Sequence, residues 1–343
     1  KYLDIVCVGT ISDIVPLVDE NRVITKLGLL LVAQTKNMGL RSLLVSSGYK
    51  NLDSTTISFG VAPRINACGR MGHADEALNL FLSKDIYEVN ELTKKLNDYN
   101  KMRQEKEKSI YEDAVNQIEK NKLYENCAIV VGGDNWHHGV IGIVSSKITD
   151  LYFKPSILLC YDNELAKGSG RSIPGFDLHD ALMKCQDTIE KFGGHSMAIG
   201  ITIKKDNFDK FANELEQIAK DSKIDEIVPI INVDAKINLN EVSRETVESL
   251  KQLEPFGEGN KTPIFALKNL KVDSIRSLSE GKHIKMTLKD GNSVVNAIGF
   301  NLGYLADEYR IGDKIDVVGT LEINSFNGVD SLQINLKDVM KSI

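Results

Sequence analysis

No stretch of the 343-residue chain approaches 18 consecutive apolar residues, which excludes a membrane-spanning helix. Cysteine is scarce and unpatterned. Cys7, Cys68, Cys127, Cys160 and Cys185 are odd in number and lack metal-ligand spacing, so neither a disulfide framework nor a zinc site is written into the chain. Most of them lie in apolar runs, the pattern of buried reduced thiols in a cytoplasmic protein. The first residues show neither the basic region nor the long apolar region of a secretory leader. Positive charge is not in excess: Lys and Arg total 42 against 48 Asp and Glu, a net charge of −6. Any contact with nucleic acid must then come from local patches. There is no internal repeat, no low-complexity tract, no lysine-bearing nucleotide cradle and no dinucleotide fingerprint. The chain opens on Lys1-Tyr2-Leu3-Asp4, without Met, and enters an apolar run at once; an N-terminal part of the natural protein is expected to precede it.

What is present is ordinary globular composition, 42% hydrophobic and 26% charged, enough for two or three domains. Residues 5–9 form an apolar run that predicts a buried strand, followed by a turn that carries Asp13. Helical spacing covers residues 21–38, with Gly39 as its C-cap, and a short helix is expected over 75–82. Residues 62–70 read as a Gly/Pro-punctuated segment between them. From 85 to 122 Lys, Glu, Asn and Gln dominate, with sparse apolar residues three and four apart and no Gly or Pro, which predicts one long, mostly exposed helix. An α/β alternation follows: strands at 128–131, 156–160 and 198–203, helices at 139–151, 178–191 and 208–219, and a Gly-rich strand or turn at 167–172. After residue 220 short strands take over, at 227–233, 264–267, 270–278, 283–288, 294–300, 314–323 and 331–339, with turns at Asp290-Gly291 and Asn327-Gly328 and a helix around 242–253. That pattern predicts a small β-barrel of the OB type. The expected domains are residues 1–83, a connecting helix at 84–122, an α/β domain at 123–221 and the barrel at 222–343.

Several segments could do chemistry. Asp13 after a strand can ligate a hard cation, or cap a turn. Arg64, Asn66 and Arg70 place two guanidinium forks and an amide in one segment, suited to clamping an anionic backbone or to structural bonds with carbonyls. Lys167-Gly168-Ser169-Gly170-Arg171-Ser172 offers glycines for close approach and Ser169, Arg171 and Ser172 as phosphate donors. Gly193-Gly194-His195 is a second such element, and the two can converge on one phosphate or be tight structural turns. Trp136-His137-His138 precedes a helix start, where packing and capping are the expected roles. In the β-rich part, Lys268, Lys271, Arg276, Lys282, His283, Lys285 and Lys289 meet only Asp273 and Glu280 over the same span. A basic barrel face, Lys282 and Lys285 foremost, suits backbone contact with a single strand, although interleaved aromatics are few.

Taken in order, GTISDIVPL (9–17), FGVAPRINACGRMG (59–72), LNDYNKMRQ (96–104), WHHGVIGIVSSKI (136–148), KGSGRSIPGFDLHDAL (167–182), FGGHSMAIG (192–200) and LEPFGEGNKTPIF (253–265) resemble the RecJ-type single-strand-specific exonucleases of the DHH phosphoesterase superfamily. The resemblance covers essentially the whole chain. It implies an α/β architecture: the end of a DHH domain, a long connecting helix, a small DHH-associated α/β domain and a C-terminal OB-like barrel. It also implies two Mn²⁺ or Mg²⁺ ions, with Asp13 matching one carboxylate ligand. Ser169, Arg171, Ser172, Gly193, Gly194 and His195 match segments that hold substrate phosphate, and Arg64, Asn66 and Arg70 match a segment near the cleft. The implied activity is 5′→3′ hydrolysis of single-stranded DNA to 5′-mononucleotides by a monomer, with a single-strand-binding protein and a helicase as partners. The family's Asp-His-His triplet is absent, so the chain alone is expected to be inactive. Two other functions stay open: a non-catalytic single-strand-binding module, and a phosphodiesterase for short oligonucleotides, for which the barrel would be superfluous.

Overall fold

The computed structural model describes residues 2–49, 51–326 and 328–342. In chain order the elements are α1 (Leu3–Ser12), α2 (Asp19–Val32), α3 (Met38–Ser47), α4 (Ala62–Arg70), α5 (Ala74–Leu82), α6 (Ile86–Lys120), β1 (Ile129–Gly133), α7 (His138–Tyr152), β2 (Ser156–Asp162), β3 (Leu165–Arg171), α8 (Leu178–Lys184), β4 (Ile189–His195), β5 (Ala198–Lys204) and α9 (Phe208–Asp221). They continue as β6 (Ala235–Lys236), α10 (Arg244–Leu250), β7 (Phe265–Leu278), β8 (His283–Asp290), β9 (Ser293–Gly299), α11 (Leu305–Glu308), β10 (Lys314–Phe326) and β11 (Val329–Lys341). They form two compact units: Lys1–Gln34, Asn51–Ser58 and Ile231–Ile343 make one, Thr35–Lys50 and Phe59–Ile230 the other.

The first unit is built on the barrel. Its strands run in the order β10-β11-β9-β8-β7, and β10 also pairs with β7 to close the ring. With α11 between the third and fourth strands this is OB topology. Register shifts at Val272/Ser274, Ile315/Val317 and Val318/Gly319 supply the bends that closure demands. Leu267, Val272, Met286, Leu288, Ile315 and Ile334 fill the interior. The α1–α2 hairpin is fastened to this unit by the loop before β7. Leu17 donates its N–H to the Glu258 carbonyl at 2.6 Å, Arg22 reaches the Leu253 carbonyl at 2.9 Å, and Ser54 donates to the Phe256 carbonyl at 2.6 Å.

The second unit holds a five-stranded sheet in the order β1-β2-β3-β5-β4, parallel only at β1–β2. One face packs on α8 and α9 through Ile157, Leu159, Ile201, Leu182, Phe211 and Leu215. On the other face α7 covers β2 and β3 and α6 covers β1, with Val140, Ile141, Val144, Ile148, Ile110, Ala114 and Ile118 in one cluster with Ile129, Val131 and Leu158. The 35-residue α6 serves both halves of the unit. Val89, Leu92 and Leu96 are buried along the part that packs on α3, α4 and α5, and Ile110, Ala114 and Ile118 along the part that packs on α7 and β1.

The structure corrects several expectations. Residues 5–9 are helical, not a strand: Cys7, Val8 and Ile11 are buried while Val6 is exposed, a three-four rhythm rather than an alternation. Asp13 is therefore the C-cap of α1, not a residue beyond a strand. Gly39 lies inside α3 rather than capping α2. Residues 62–70 form α4, which continues directly from a π-helical segment at Thr56–Val61 with Pro63 at the junction. The helix expected over 178–191 stops at Lys184, where Thr188 bonds back to the Cys185 carbonyl at 2.9 Å and β4 begins. The two strands expected at 264–267 and 270–278 are one long strand, Phe265–Leu278. The strand expected at 227–233 has no ladder; Pro229 removes a donor there, and only Ala235–Lys236 pairs. The tight turn after β8 carries Gly291 at φ +55°, whereas Asn327 lies outside the described residues.

A Cβ at Gly39 would overlap the Leu80 carbonyl of α5. Overpacking of this kind costs about 1–3 kcal/mol, more than the ~1 kcal/mol that Ala gains over Gly inside a helix. Gly39→Ala is therefore expected to lower the thermal midpoint, whereas a C-cap role outside α3 would leave the steric term absent.

Candidate nucleic-acid interface

Alternation along β3 sorts its residues onto two faces. Gly168 and Gly170 turn into the core, where a Cβ would meet Leu159 and Ile201, or Ile199 and Ile157, at 2.6–3.0 Å. They are glycines because the neighbours' branched side chains fill their space, not because a ligand approaches them. Ser169 and Arg171 point the other way. In register beside them stand Gly200 and Ala198 of β5, then Gly193 and His195 of β4; Lys167, Thr202 and Lys191 extend the same rows. Facing residues of antiparallel neighbours share a side of the sheet. The sheet therefore presents one polar strip floored by bare backbone: a Cβ at Gly193 meets nothing within 4 Å, and one at Gly200 only the Gly193 carbonyl. Gly194 is required by conformation, with φ +141° and a Cβ position that overlaps the Ala198 carbonyl.

One edge of the strip is the first part of α7. A Cβ at Gly142 would stand 3.0 Å from Ser169 Oγ and 3.5 Å from Arg171 Nη2. Arg171 Nη1 donates to Ser169 Oγ at 3.1 Å and to the Gly170 carbonyl at 2.9 Å. Arg70, at the end of α4, donates to the Gly139 carbonyl at 3.0 Å. Burial lowers the pKa of both guanidiniums; Arg70 lowers that of Arg171 further, and Arg103 that of Arg70, offset in part by Glu107. Glu107 takes Arg103 of its own helix and Lys147 of α7, the latter at 2.5 Å, while Arg103 also donates to Asn100 Oδ1 at 2.7 Å. Positive charge is thus concentrated beside an open glycine floor, an arrangement suited to an anion.

The remaining expected residues go elsewhere. Ser172 is buried and donates to the Phe176 carbonyl at 2.7 Å, holding the turn after β3. Arg64 is spent on structure: Nε donates to Asn97 Oδ1 at 2.6 Å, Nη2 to the Ser46 carbonyl at 3.2 Å and Nη1 to the Gly60 carbonyl. The fork ties α3, α4 and α6 together. Asn66 is exposed on α4, one turn before Arg70. His195 is exposed and accepts the Met197 N–H at its Nδ1, 3.3 Å away. Asp13 is exposed, and among the described residues no group of three or more His, Cys, Asp or Glu is placed to hold a metal ion. In the first unit Lys282 is exposed beside β8, and Lys285 lies on the outer face of the barrel between Arg276 of β7 and Ile298 of β9. Phe300 is exposed and sets its ring edge to His283, 5.3 Å between centroids; Phe265 is interior. Sequence reasoning missed Gly142, Gly200, Arg103 and Glu107. Glycines three apart at 139 and 142, within one helix, were the available signal.

Residues 121–221 match the DHHA1 domain family and residues 233–338 the RecJ OB domain. A DHHA1 domain followed by this OB domain defines the class. The chain resembles RecJ proteins along its whole length. It is 36% identical over its whole length to the single-stranded-DNA-specific exonuclease RecJ of Bacillus subtilis, covering 44% of that protein. It is 32% identical to the enzyme of the same name from Haemophilus influenzae, over 97% of this chain and 60% of that one. The crystal structure of RecJ from Thermus thermophilus in complex with Mn²⁺ superposes with a TM-score of 0.87 at 30% identity, over all of this chain and 50% of that one. The chain thus spans about half the length of the relatives it matches.

Trp136 is buried and donates its indole N–H to Asp113 at 2.8 Å, and His137 caps α7 by accepting the Gly139 N–H at its Nδ1, 3.2 Å away. Burial pulls the His137 pKa below its ordinary value of 6.5, with Lys106 and His138 adding to the shift. The folded state therefore prefers the neutral ring, so below about pH 6.5 the unfolded chain binds more protons and stability falls as pH drops toward the folded value. His137→Asn keeps a capping oxygen but does not titrate, so it is expected to flatten the acid limb of the midpoint-versus-pH curve. The cap itself is worth ~1 kcal/mol.

Proposed function

We propose that this chain holds single-stranded DNA by its phosphates, as part of a cytoplasmic 5′→3′ exonuclease of recombination and repair. The observation that supports it best is the pair of guanidinium forks, Arg70 and Arg171, at the edge of a strip floored by Gly193 and Gly200. Bare backbone lets a phosphate approach closely, and the forks meet its oxygens in a planar way that Lys cannot. Ser169 and His195 share the same face and add a hydroxyl and an imidazole. The barrel's outer face, with Lys285 and Arg276 side by side and Lys282 near them, suits contact with a flexible strand through charge. A phosphodiesterase for short substrates would have no use for that face. The names of the relatives, single-stranded-DNA-specific exonucleases, support the substrate class. A single-strand-binding protein and a helicase as partners, and a monomeric state, belong to the same proposal.

The hydrolytic step is a different matter. The family's Mn²⁺ or Mg²⁺ ions need several carboxylates and imidazoles within reach of each ion. Asp13 at an exposed helix end, without a metal-holding group among the described residues, does not fit that requirement. In this reading the described residues grip and orient, and none of them is grouped as a two-ion centre. The purified chain with Mn²⁺ is accordingly expected to release no 5′-mononucleotides from a single strand. Release that is lost on Asp13→Ala would overturn this.

Arg171→Ala tests the grip. Charge-assisted bonds of this kind contribute roughly 1.5–3 kcal/mol each, so affinity for a 5′-phosphorylated oligonucleotide is expected to fall about ten- to a hundredfold. Arg171→Lys should recover little. Equal losses on 5′-hydroxyl and 5′-phosphate strands place an internal phosphate at Arg171; no loss on either returns β3 to a purely structural role.

A further inference from the structure

The charge around the strip is unequal. Arg70 and Arg171 border it; Arg103 lies near Arg70, and Glu107 binds both Arg103 and Lys147 of α7. Glu107 is nearly buried, 7% exposed, on the side of α6 that packs on α7. Its two oxygens divide the work: one takes Arg103, the other Lys147. Arg103 is further held by Asn100. Arg70 and Arg171, by contrast, donate only to carbonyls and to Ser169 among the hydrogen bonds described. Two cations are thus tied down and two left open.

We infer that Glu107 is a positioning residue that withholds Arg103 and Lys147 from the nucleic acid, so that the strip meets the strand with two forks rather than four cations. This rests on the phosphate-gripping reading above. The physical reason is the balance between holding and letting go. Each cation that engages a phosphate releases condensed counterions and steepens the salt dependence by about 0.7 for a single strand. Four free cations would hold any polyanion tightly wherever it touched. Two forks with fixed geometry hold a phosphate in one orientation. A buried carboxylate bridging two helices is a costly device for stability alone, since apolar side chains of similar volume often serve as well. Its place near the open Arg70 gives it a reason.

The test measures binding of the full chain to an oligothymidine over a range of salt, for the wild type, Glu107→Gln, Glu107→Asp and Arg171→Ala. Glu107→Gln keeps the shape and removes the charge. It is expected to tighten binding about tenfold at low salt and to steepen the slope of log K against log salt by up to about 1.4, the value for two released cations. Adding Lys147→Gln to it should remove about half of that increase. If Glu107→Gln does not fold, Glu107→Asp is read instead: its shorter side chain cannot serve both cations, so a steepening of about 0.7 is expected. A purely structural Glu107 predicts a lower thermal midpoint with an unchanged or shallower slope, and that result in a folded variant overturns the inference. Arg171→Ala separates the two failures. If it leaves affinity and slope unchanged, the phosphate-gripping reading itself is wrong, whatever the Glu107 variants do.

Discussion

The register of β3 against β2 and β5 is the constraint on which the rest of the second unit depends. With Gly168 and Gly170 inward, the branched side chains of Ile157, Leu159, Ile199 and Ile201 close over them and seal the sheet onto α8 and α9. The same alternation carries Ser169 and Arg171 to the other face, next to Gly200 and Gly193. A slip of one residue would bury a guanidinium and expose a glycine. Core and candidate site are therefore opposite sides of one decision, and neither can be altered in register without the other.

Legibility in the sequence followed the length of the periodic signal. The 35-residue α6 and the α/β order after it could be read because three-four spacing persists without Gly or Pro and because strands and helices alternate. The barrel could be read from strand count and turns. Short apolar runs misled: residues 5–9 are too few for the period to separate strand from helix, and only burial of Cys7, Val8 and Ile11 decides it. Ser169, Arg171, Gly193 and His195 could be picked out singly but not placed on one face, because that follows from cross-strand register, which no local pattern encodes. Arg64 left two roles open in the sequence, an anion clamp or structural bonds with carbonyls, and in the fold every nitrogen makes a structural bond.

The loop at residues 254–260 shows how a motif can be structural without being inert. Asn260 donates to the Leu253 and Pro255 carbonyls at 2.9 and 2.8 Å and closes the loop on itself. The closed loop presents Glu258, Phe256 and Leu253 carbonyls to Leu17, Ser54 and Arg22. A Cβ at Gly257 would stand 2.6 Å from the Leu17 side chain, so the approach depends on glycine there. Residues more than 200 positions apart are joined by backbone acceptors together with the buried Leu17 side chain.

At 1.5 Å per residue, α6 extends for about 52 Å, and its buried stripe is occupied near both ends, by Val89, Leu92 and Leu96 and by Ile110, Ala114 and Ile118. In mechanical terms it is a strut clamped at two points, with Arg103 and Glu107 in the span between the clamps. A strut of this kind resists bending most where it is held and least in the middle. In that span the buried side chains are polar, Asn100 and Glu107, and bonds to Arg103 and Lys147 hold them where apolar packing holds the two ends.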